Sequence, residues 1–257
     1  MKHRPDIPLR RAGLVVLVCL ALPFLCFTLW DAILIQTAPF APQTGEALSA
    51  VGRENPTACL LYGCAHSLNV SLQGGTEGWT LDETTPRDEQ AADLQALLDP
   101  LQQAGIVSTA QRTFLTLALE NRVNYALTHY TLAAGLEQYC LLNQSIPGSD
   151  GPPSGYPPFS FCAIFTPEGV PVYLKFLGGP FSESPALTQV LEFSGLMGFS
   201  DWTPQLLAGY AGEHGEALYS ESAQLYAQIS YEQGFIYRLA SMAPSDMQTF
   251  LQEDSPS

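Results

Sequence analysis

Basic residues are scarce in this sequence, and they are unevenly distributed. The chain has 10 Lys/Arg against 25 Asp/Glu, and four of the ten lie within the first eleven positions. From Thr37 onward six Lys/Arg remain against 23 Asp/Glu, which gives this part a formal charge of −17. Because nucleic acids and anionic lipid surfaces are bound by clustered positive charge, this composition argues against both as partners of the acidic part.

The motifs that identify common cofactor and metal sites are also missing. The sequence has no glycine-rich phosphate loop, no dinucleotide-binding fingerprint, no H-E-x-x-H pair and no calcium-binding loop. No reaction can therefore be assigned from a motif. We expect no cofactor and no metal, and a binding, regulatory or assembly function in preference to catalysis.

No charged residue occurs between Ala12 and Trp30, directly after the basic N-terminal stretch. At about 1.5 Å per residue, nineteen helical residues cover most of a hydrocarbon core that is roughly 30 Å thick. The four Lys/Arg precede this segment, so the positive-inside rule predicts a cytoplasmic N-terminus and an extracytoplasmic remainder. We predict a basic tail at 1–11, a transmembrane signal-anchor helix at 12–35, a tether at 36–58 and an acidic extracytoplasmic domain at 59–254.

A cleaved signal peptide is the main alternative to this anchor. Signal peptidase requires small residues in an A-x-A-like pattern after a short apolar region. Cleavage after Ala38 would place Gln36 in this pattern, and cleavage after Ala41 would place Pro39 there. These poor sites favour an uncleaved single-pass protein of the cell membrane.

Four cysteines lie beyond the predicted anchor, an even number that suits an extracytoplasmic domain with two disulfides. If 137–143 and 159–166 are antiparallel neighbours, Cys140 falls opposite Cys162 and within bridging reach. Cys59 would then pair with Cys64. One alternative is four free thiols, and another is a metal site of Cys59, Cys64 and His66, which lacks a fourth ligand.

The pattern of apolar residues predicts an α+β domain with an antiparallel sheet and packed helices. Two β-rich runs around Glu168-Gly169 predict a hairpin at 159–177, in which Phe161 faces Phe176, Ala163 faces Leu174 and Phe165 faces Val172. A second hairpin is predicted at 225–240, and a long helix over 216–241 competes with it.

The other segments give weaker patterns. Leucines at helical spacing predict helices at 87–105 and 184–197, and a short helix is predicted at 244–252. Strands are predicted at 59–85 and at 112–132, where the second pair turns at 120–122 and a helix is the alternative. A further alternative is that the domain consists of two packed subdomains with a boundary near 180.

One glycine-rich loop, at 209–216, gathers candidate acid–base residues: Glu213, His214 and Glu216. Two carboxylates beside an imidazole can serve general acid–base chemistry, and this loop supports the alternative function of an envelope hydrolase. Three glycines in seven residues also suit a simple bend with solvated side chains.

Aromatic residues beside flexible segments are candidates for a recognition patch: Tyr156, Phe159, Trp202 and Tyr210. Burial in the core is the alternative for them. The sequence thus predicts a non-enzymatic binding, regulatory or assembly module of the cell envelope. Its partners would be the lipid bilayer, through the N-terminal helix, and another envelope protein or peptide.

Overall fold

A computed structural model of the protein describes residues 48–65, 72, 76, 78–143, 159–178, 185–205, 215–231 and 234–243. All of them belong to one compact unit, Glu46–Ser257. The predicted anchor at 12–35 and the predicted helix at 244–252 lie outside the described residues. Among the residues that are described, no helix is long and apolar enough to span a membrane.

The described residues form five helices and nine strands. The helices are α1 (Ala50–Glu54), α2 (Pro56–Gly63), α3 (Arg87–Gln103), α4 (Thr109–Glu120) and α5 (Leu187–Phe193). The strands are β1 (Thr80–Leu81), β2 (Tyr125–Thr131), β3 (Glu137–Asn143), β4 (Ser160–Phe165), β5 (Pro171–Leu177), β6 (Thr203–Pro204), β7 (Gly215–Ser220), β8 (Leu225–Ser230) and β9 (Gly234–Ser241). The protein is therefore an antiparallel sheet with a few helices, as the α+β prediction states in its coarser form.

All nine strands belong to one sheet, in the order β1-β2-β3-β4-β5-β9-β8-β7-β6. Each pairing in it is antiparallel. The middle pairing, β5 with β9, joins the strands before position 180 to the strands after it, from Tyr173↔Arg238 to Leu177↔Gly234. The strands before and after position 180 thus belong to one sheet, which is continuous across the boundary considered for two subdomains.

The two predicted hairpins are present. In the β4–β5 hairpin Phe161 pairs with Phe176 and Ala163 with Leu174, as predicted. The register shifts between Ile164 and Phe165, so Phe165 pairs with Pro171 where the sequence predicts Val172. Strands β8 and β9 form the second hairpin, and the alternative of a long helix over 216–241 is wrong.

The prediction of two strands at 112–132 is wrong in its first half, because 109–120 is helical. Ser108 and Gln111 form a capping box, in which each side chain bonds the backbone N–H of the other residue. Leu115, Ala118 and Leu119 lie on the buried side of the helix. Leucines here fit both a strand and a helix, and the cap decides between them.

The chain before β1 also differs from the prediction. The last residues of the predicted tether form α1 and the start of α2, and α2 continues to Gly63, into the range 59–85 that was predicted to hold two short strands. Residues 66–71 of that range lie outside the described residues, and its end contains β1. Asn55 caps α2 by accepting a hydrogen bond from Ala58 N at 3.0 Å, and Pro56 occupies the first helical position. Since Ala58 and Leu61 are fully buried, this segment packs into the domain.

Alternation along each strand gives the sheet two faces. The core face carries apolar residues of every central strand, including Leu141, Phe161, Phe176 and Phe235. Helix α4 contacts this face through Phe114, whose ring is 4.8 Å from the ring of Phe159, the residue before β4. The other face, which we call the second face, carries the intervening residues, among them Gln138, Tyr173, Lys175, Gln228 and Arg238.

Candidate functional site

The centre of the second face holds two basic residues side by side. Lys175 lies on β5 and Arg238 on β9, the two strands that form the middle pairing of the sheet. Tyr173 pairs with Arg238 and Lys175 pairs with Ile236, so Lys175 and Arg238 are diagonal neighbours. Diagonal cross-strand residues are separated by about 7–8 Å, which one bridging anion can span. We call Lys175 and Arg238 the cationic pair.

The other basic side chains near the helices have partners. Arg112 forms an ion pair with Asp99 at 2.6 Å, and Arg122 forms one with Asp88. Arg87 donates a hydrogen bond to the Tyr125 carbonyl oxygen at 3.0 Å. In contrast, no carboxylate in the described part of the chain lies within 4.0 Å of either member of the cationic pair. Within the described residues, neither charge is therefore neutralised by a carboxylate.

Two polar groups of the second face are buried and incompletely bonded. The Nε atom of Arg238 and the Oε1 atom of Gln138 are both buried without a hydrogen-bond partner. Burial raises the pKa of Tyr173, and the neighbouring Arg238 guanidinium opposes that shift. The Tyr173 phenol is thus a protonated donor at neutral pH. Together with the Lys175 ammonium and the Arg238 guanidinium, it forms a set that suits a carboxylate, which an Arg fork can bind bidentately.

Two cysteines lie next to the cationic pair on the second face. Cys140 and Cys162 face each other across β3 and β4, with Cα atoms 4.2 Å apart and sulfur atoms at disulfide distance. This is the pairing predicted from the antiparallel arrangement of their strands. Cys162 in turn pairs directly with Lys175. A disulfide at this position ties β3 to β4, the strand that flanks β5.

The predicted bond between Cys59 and Cys64 is not formed, and both thiols are free. The two residues lie on and directly after α2, where a separation of five positions turns the side chains to different sides. Cys59 is exposed, whereas Cys64 is buried, and burial raises the pKa of its thiol. Both line an open cavity of about 590 Å³ with Arg53, Glu54 and Leu60. No group of metal-ligating side chains occurs among the described residues.

An acid–base cluster that the sequence did not reveal lies at the β1 side of the sheet. The Nδ1 atom of His129 is 3.0 Å from Asp82 Oδ2, its Nε2 atom is 4.0 Å from Glu137 Oε2, and its ring stacks on Tyr139 at 4.4 Å. The Tyr139 hydroxyl donates to Glu137 Oε2 at 2.9 Å. The cluster joins β2 and β3 to the chain that follows β1. Since His129 Nε2 is buried, its imidazole has no open side for a substrate.

Asp82 also positions the start of α3. Its carboxylate accepts hydrogen bonds from the backbone N–H groups of Thr84 and Thr85, at 2.9 and 3.1 Å, and from the Thr84 hydroxyl. These hydrogen bonds from Thr85 and Thr84 hold the pKa of Asp82 far below its usual range. One ionised carboxylate therefore orients both His129 and the loop that leads into the helix.

The predicted acid–base loop at 209–216 is only partly described. Glu213 and His214 lie outside the described residues, whereas Glu216 is the second residue of β7. The Glu216 carboxylate accepts a hydrogen bond from the backbone N–H of Leu187 at 3.3 Å. Glu216 thus bonds to the first residue of α5, a contact that connects the sheet to a helix.

The candidate aromatic residues are divided in the same way. Tyr156 and Tyr210 lie outside the described residues. Phe159 is buried between Phe114 and Tyr125, with ring centroids 4.8 and 6.3 Å away. Trp202 is half-buried, and its indole N–H donates to the Leu196 carbonyl oxygen at 3.0 Å. The two described aromatics are thus held in packing contacts and do not form a common exposed patch.

Comparison with known proteins adds no further assignment. No protein-family model, no curated protein and no solved structure matches the chain.

Proposed function

We propose that this protein is a membrane-anchored, extracytoplasmic binding module of the cell envelope, and that it is not an enzyme. The segment 12–35 would hold it in the membrane, and the acidic domain would bind a partner polypeptide through a carboxylate group. The observation that carries this proposal is the cationic pair. Lys175 and Arg238 are two of only six basic residues in a part of the chain with a formal charge of −17, and neither has an acidic partner among the described residues.

The arrangement of the pair costs energy unless an anion binds to it. Two like charges on neighbouring strands repel each other, and both side chains are half-buried, where repulsion is less screened than in water. The buried Arg238 Nε atom adds the cost of a donor without an acceptor. A bound carboxylate would remove both costs, because it neutralises the pair and accepts hydrogen bonds from it.

A polypeptide suits this site better than a polyanion or a membrane surface. Nucleic acids and anionic bilayers require many cations in one area, whereas the cationic pair offers two within a strongly acidic domain. A peptide with one or two carboxylates needs no more than that. The edge strands β1 and β6 have only two residues each, so addition of a partner strand to the sheet edge is disfavoured as well.

The proposal is tested by capture of partners from solubilised membranes with the full chain as bait. The Lys175→Gln/Arg238→Gln variant should lose the specific partner by about 10-fold or more, because charged hydrogen bonds contribute about 1.5–3 kcal/mol each. Arg53→Gln is the matched control, since Arg53 is an exposed cation on α1 and should leave capture unchanged. Equal capture by all three proteins would refute the proposed binding site.

The proposed location is tested with a membrane-impermeant maleimide on intact cells, or on spheroplasts where an outer membrane is present. Cys59 is an exposed free thiol, so it should be labelled without cell lysis, and Cys59→Ser should abolish this labelling. Labelling of Cys59 only after lysis would place the domain in the cytoplasm and refute the proposed orientation.

A further inference from the structure

The open cavity beside α2 has walls that are fixed to the domain. Helix α2 forms one wall, and it is anchored through Ala58 and Leu61, which are fully buried. A second wall contains Ala134, in the turn that joins β2 to β3. Gly135 N donates to the Leu132 carbonyl oxygen at 2.8 Å, and this hydrogen bond holds the turn closed. Because both walls are anchored, the cavity exists before any ligand binds.

The size and the lining of the cavity suit a small molecule. Its volume of about 590 Å³ lies within the roughly 300–1,000 Å³ of typical small-molecule sites. Pro56 and Leu60 contribute apolar surface, and Arg53 and Glu54 add one charge of each sign. The cavity thus has no net charge within a strongly acidic domain, so it does not itself repel an anionic or zwitterionic molecule.

The two thiols that line the cavity differ in access. Cys59 is exposed, whereas Cys64 is only 1% exposed. Burial raises the pKa of the Cys64 thiol, which keeps it protonated and unreactive. Cys140 and Cys162, the other described cysteines, are at disulfide distance from each other. Among the described residues, Cys59 therefore carries the accessible sulfur nucleophile, and it lies on the wall of a preformed cavity.

We propose that this cavity binds the disulfide of a small peptide thiol and that Cys59 exchanges with it to form a mixed disulfide. The Cys59 thiolate attacks one sulfur of the ligand, the S–S bond of the ligand breaks, and a bond forms between Cys59 Sγ and that sulfur. The other half of the ligand leaves as a thiolate and takes up the proton that Cys59 lost, so no further oxidant is needed. The sulfur of Cys64 adds a polarisable contact to the lining beside the bound ligand.

This site is separate from the cationic pair, and it does not depend on the proposed location of the domain. The mixed disulfide is reversible, because a second thiol can attack it in the same way. Treatment of intact cells with a monothiol therefore restores free Cys59 before it is labelled with maleimide.

Exchange is tested with oxidised glutathione, a small peptide disulfide, and the intact mass of the full chain in detergent. A Cys19→Ser/Cys26→Ser background removes the two cysteines outside the described residues. One glutathione unit should be added to this chain and to Cys64→Ser, and none to Cys59→Ser. Because the ligand binds before it reacts, the rate should level off as its concentration rises. A rate that stays proportional to concentration, or an adduct on Cys64 in place of Cys59, would overturn the proposal.

Gly63→Leu tests the cavity separately from the thiol. Gly63 lines the cavity, and a β-carbon added there meets no atom within 4 Å, so the leucine enters open space and favours the helix. Since Gly63 is one helical turn from Cys59, the exchange rate is compared with the rate of labelling by a small maleimide, which needs an accessible thiol but no binding site.

The ratio of the exchange rate to the labelling rate should fall several-fold in Gly63→Leu. Gly198→Leu is the matched control, because a β-carbon at this position also meets no atom within 4 Å and Gly198 does not line the cavity. Its ratio should equal that of the unchanged chain. The same ratio in both variants would show that Cys59 reacts as an ordinary surface thiol, and would overturn the binding of the disulfide in the cavity.

Discussion

The pairing of β5 with β9, which joins the two halves of the sheet, depends on a glycine. Gly234 begins β9 with φ of +148°, in a backbone region that L side chains rarely adopt. A β-carbon at this position would overlap the carbonyl oxygen of Phe176, and it would lie 2.9 Å from the Phe176 carbonyl carbon and 3.1 Å from the Leu177 Cα. All three atoms belong to the backbone of β5, which pairs with β9. No rotamer change can relieve the overlap, so Gly234→Ala must push the two strands apart.

Two costs combine in this variant. Overpacking in a well-packed region costs roughly 1–3 kcal/mol. Holding a non-glycine residue in an unfavourable backbone conformation costs roughly another 1–3 kcal/mol. We therefore expect Gly234→Ala to lower the free energy of unfolding by about 2–6 kcal/mol, a large part of the roughly 5–15 kcal/mol of a typical domain.

Urea unfolding of the purified chain, followed by tryptophan fluorescence, measures this loss. With a typical dependence of about 2 kcal/mol per molar urea, the midpoint should fall by roughly 1–3 M. Gly198→Ala is the matched control, because its added β-carbon would meet no atom within 4 Å and should change the stability by less than about 0.5 kcal/mol. Equal midpoints for the two variants would show that the backbones of β5 and β9 do not approach each other this closely at Gly234.

Three further changes test separate contacts. Ser108→Ala removes the N-terminal cap of α4 and should cost about 1 kcal/mol in the same urea assay, whereas full retention of stability would contradict the capping box. Cys140→Ser opens a loop with a sequence separation of 22 and should cost about 3 kcal/mol under oxidising conditions and little under reducing ones, with Cys59→Ser as the silent control. Asp82→Ala should make the free energy of unfolding less dependent on pH in the acid range. The pKa of Asp82 is lowered in the folded state, so its stabilisation is present above the unfolded pKa of about 3.9 and is lost as the pH falls below that value. An unchanged difference between urea midpoints at pH 3 and pH 6 would rule out that contribution.

Local patterns predict the hairpins because a short turn and strict alternation set the register together. Phe161 and Phe176 are brought opposite each other by the Glu168-Gly169 turn, with no contribution from distant parts of the chain. One register error follows from the shift at Phe165, since the sequence does not mark the irregularity. The pairing of Cys140 with Cys162 was predictable for the same reason, because the next strand in sequence is also the next strand in the sheet.

The helix α4 was predictable from a signal that its leucines obscure. Ser108 and Gln111 have the spacing of a capping box, and this favours a helix where the leucines also suit a strand. For α2 the signal was Pro56 after Asn55, a common pair at the start of a helix. In both places a cap at the end of the segment was more informative than the apolar pattern inside it.

The candidate site could not be predicted from local patterns. Lys175 and Arg238 belong to different hairpins, and each looks like an isolated surface charge in its own segment. They become neighbours only because β5 pairs with β9, and the pairing of distant strands leaves no signature in either one. The contact between Asp82 and His129, 47 positions apart, was invisible for the same reason.

By itself, the sequence determined the acidic charge balance, the scarcity of cations, the two hairpins with two of the three pairings predicted in the first, and the presence of helices beside an antiparallel sheet. These properties depend on composition or on residues close together in the chain. Only the tertiary structure decided that the two halves share one continuous sheet, that α2 packs into the domain and that Lys175 and Arg238 stand together without an acidic neighbour among the described residues. Those features depend on which strands pair across long separations, where the burial of entire faces outweighs any local preference.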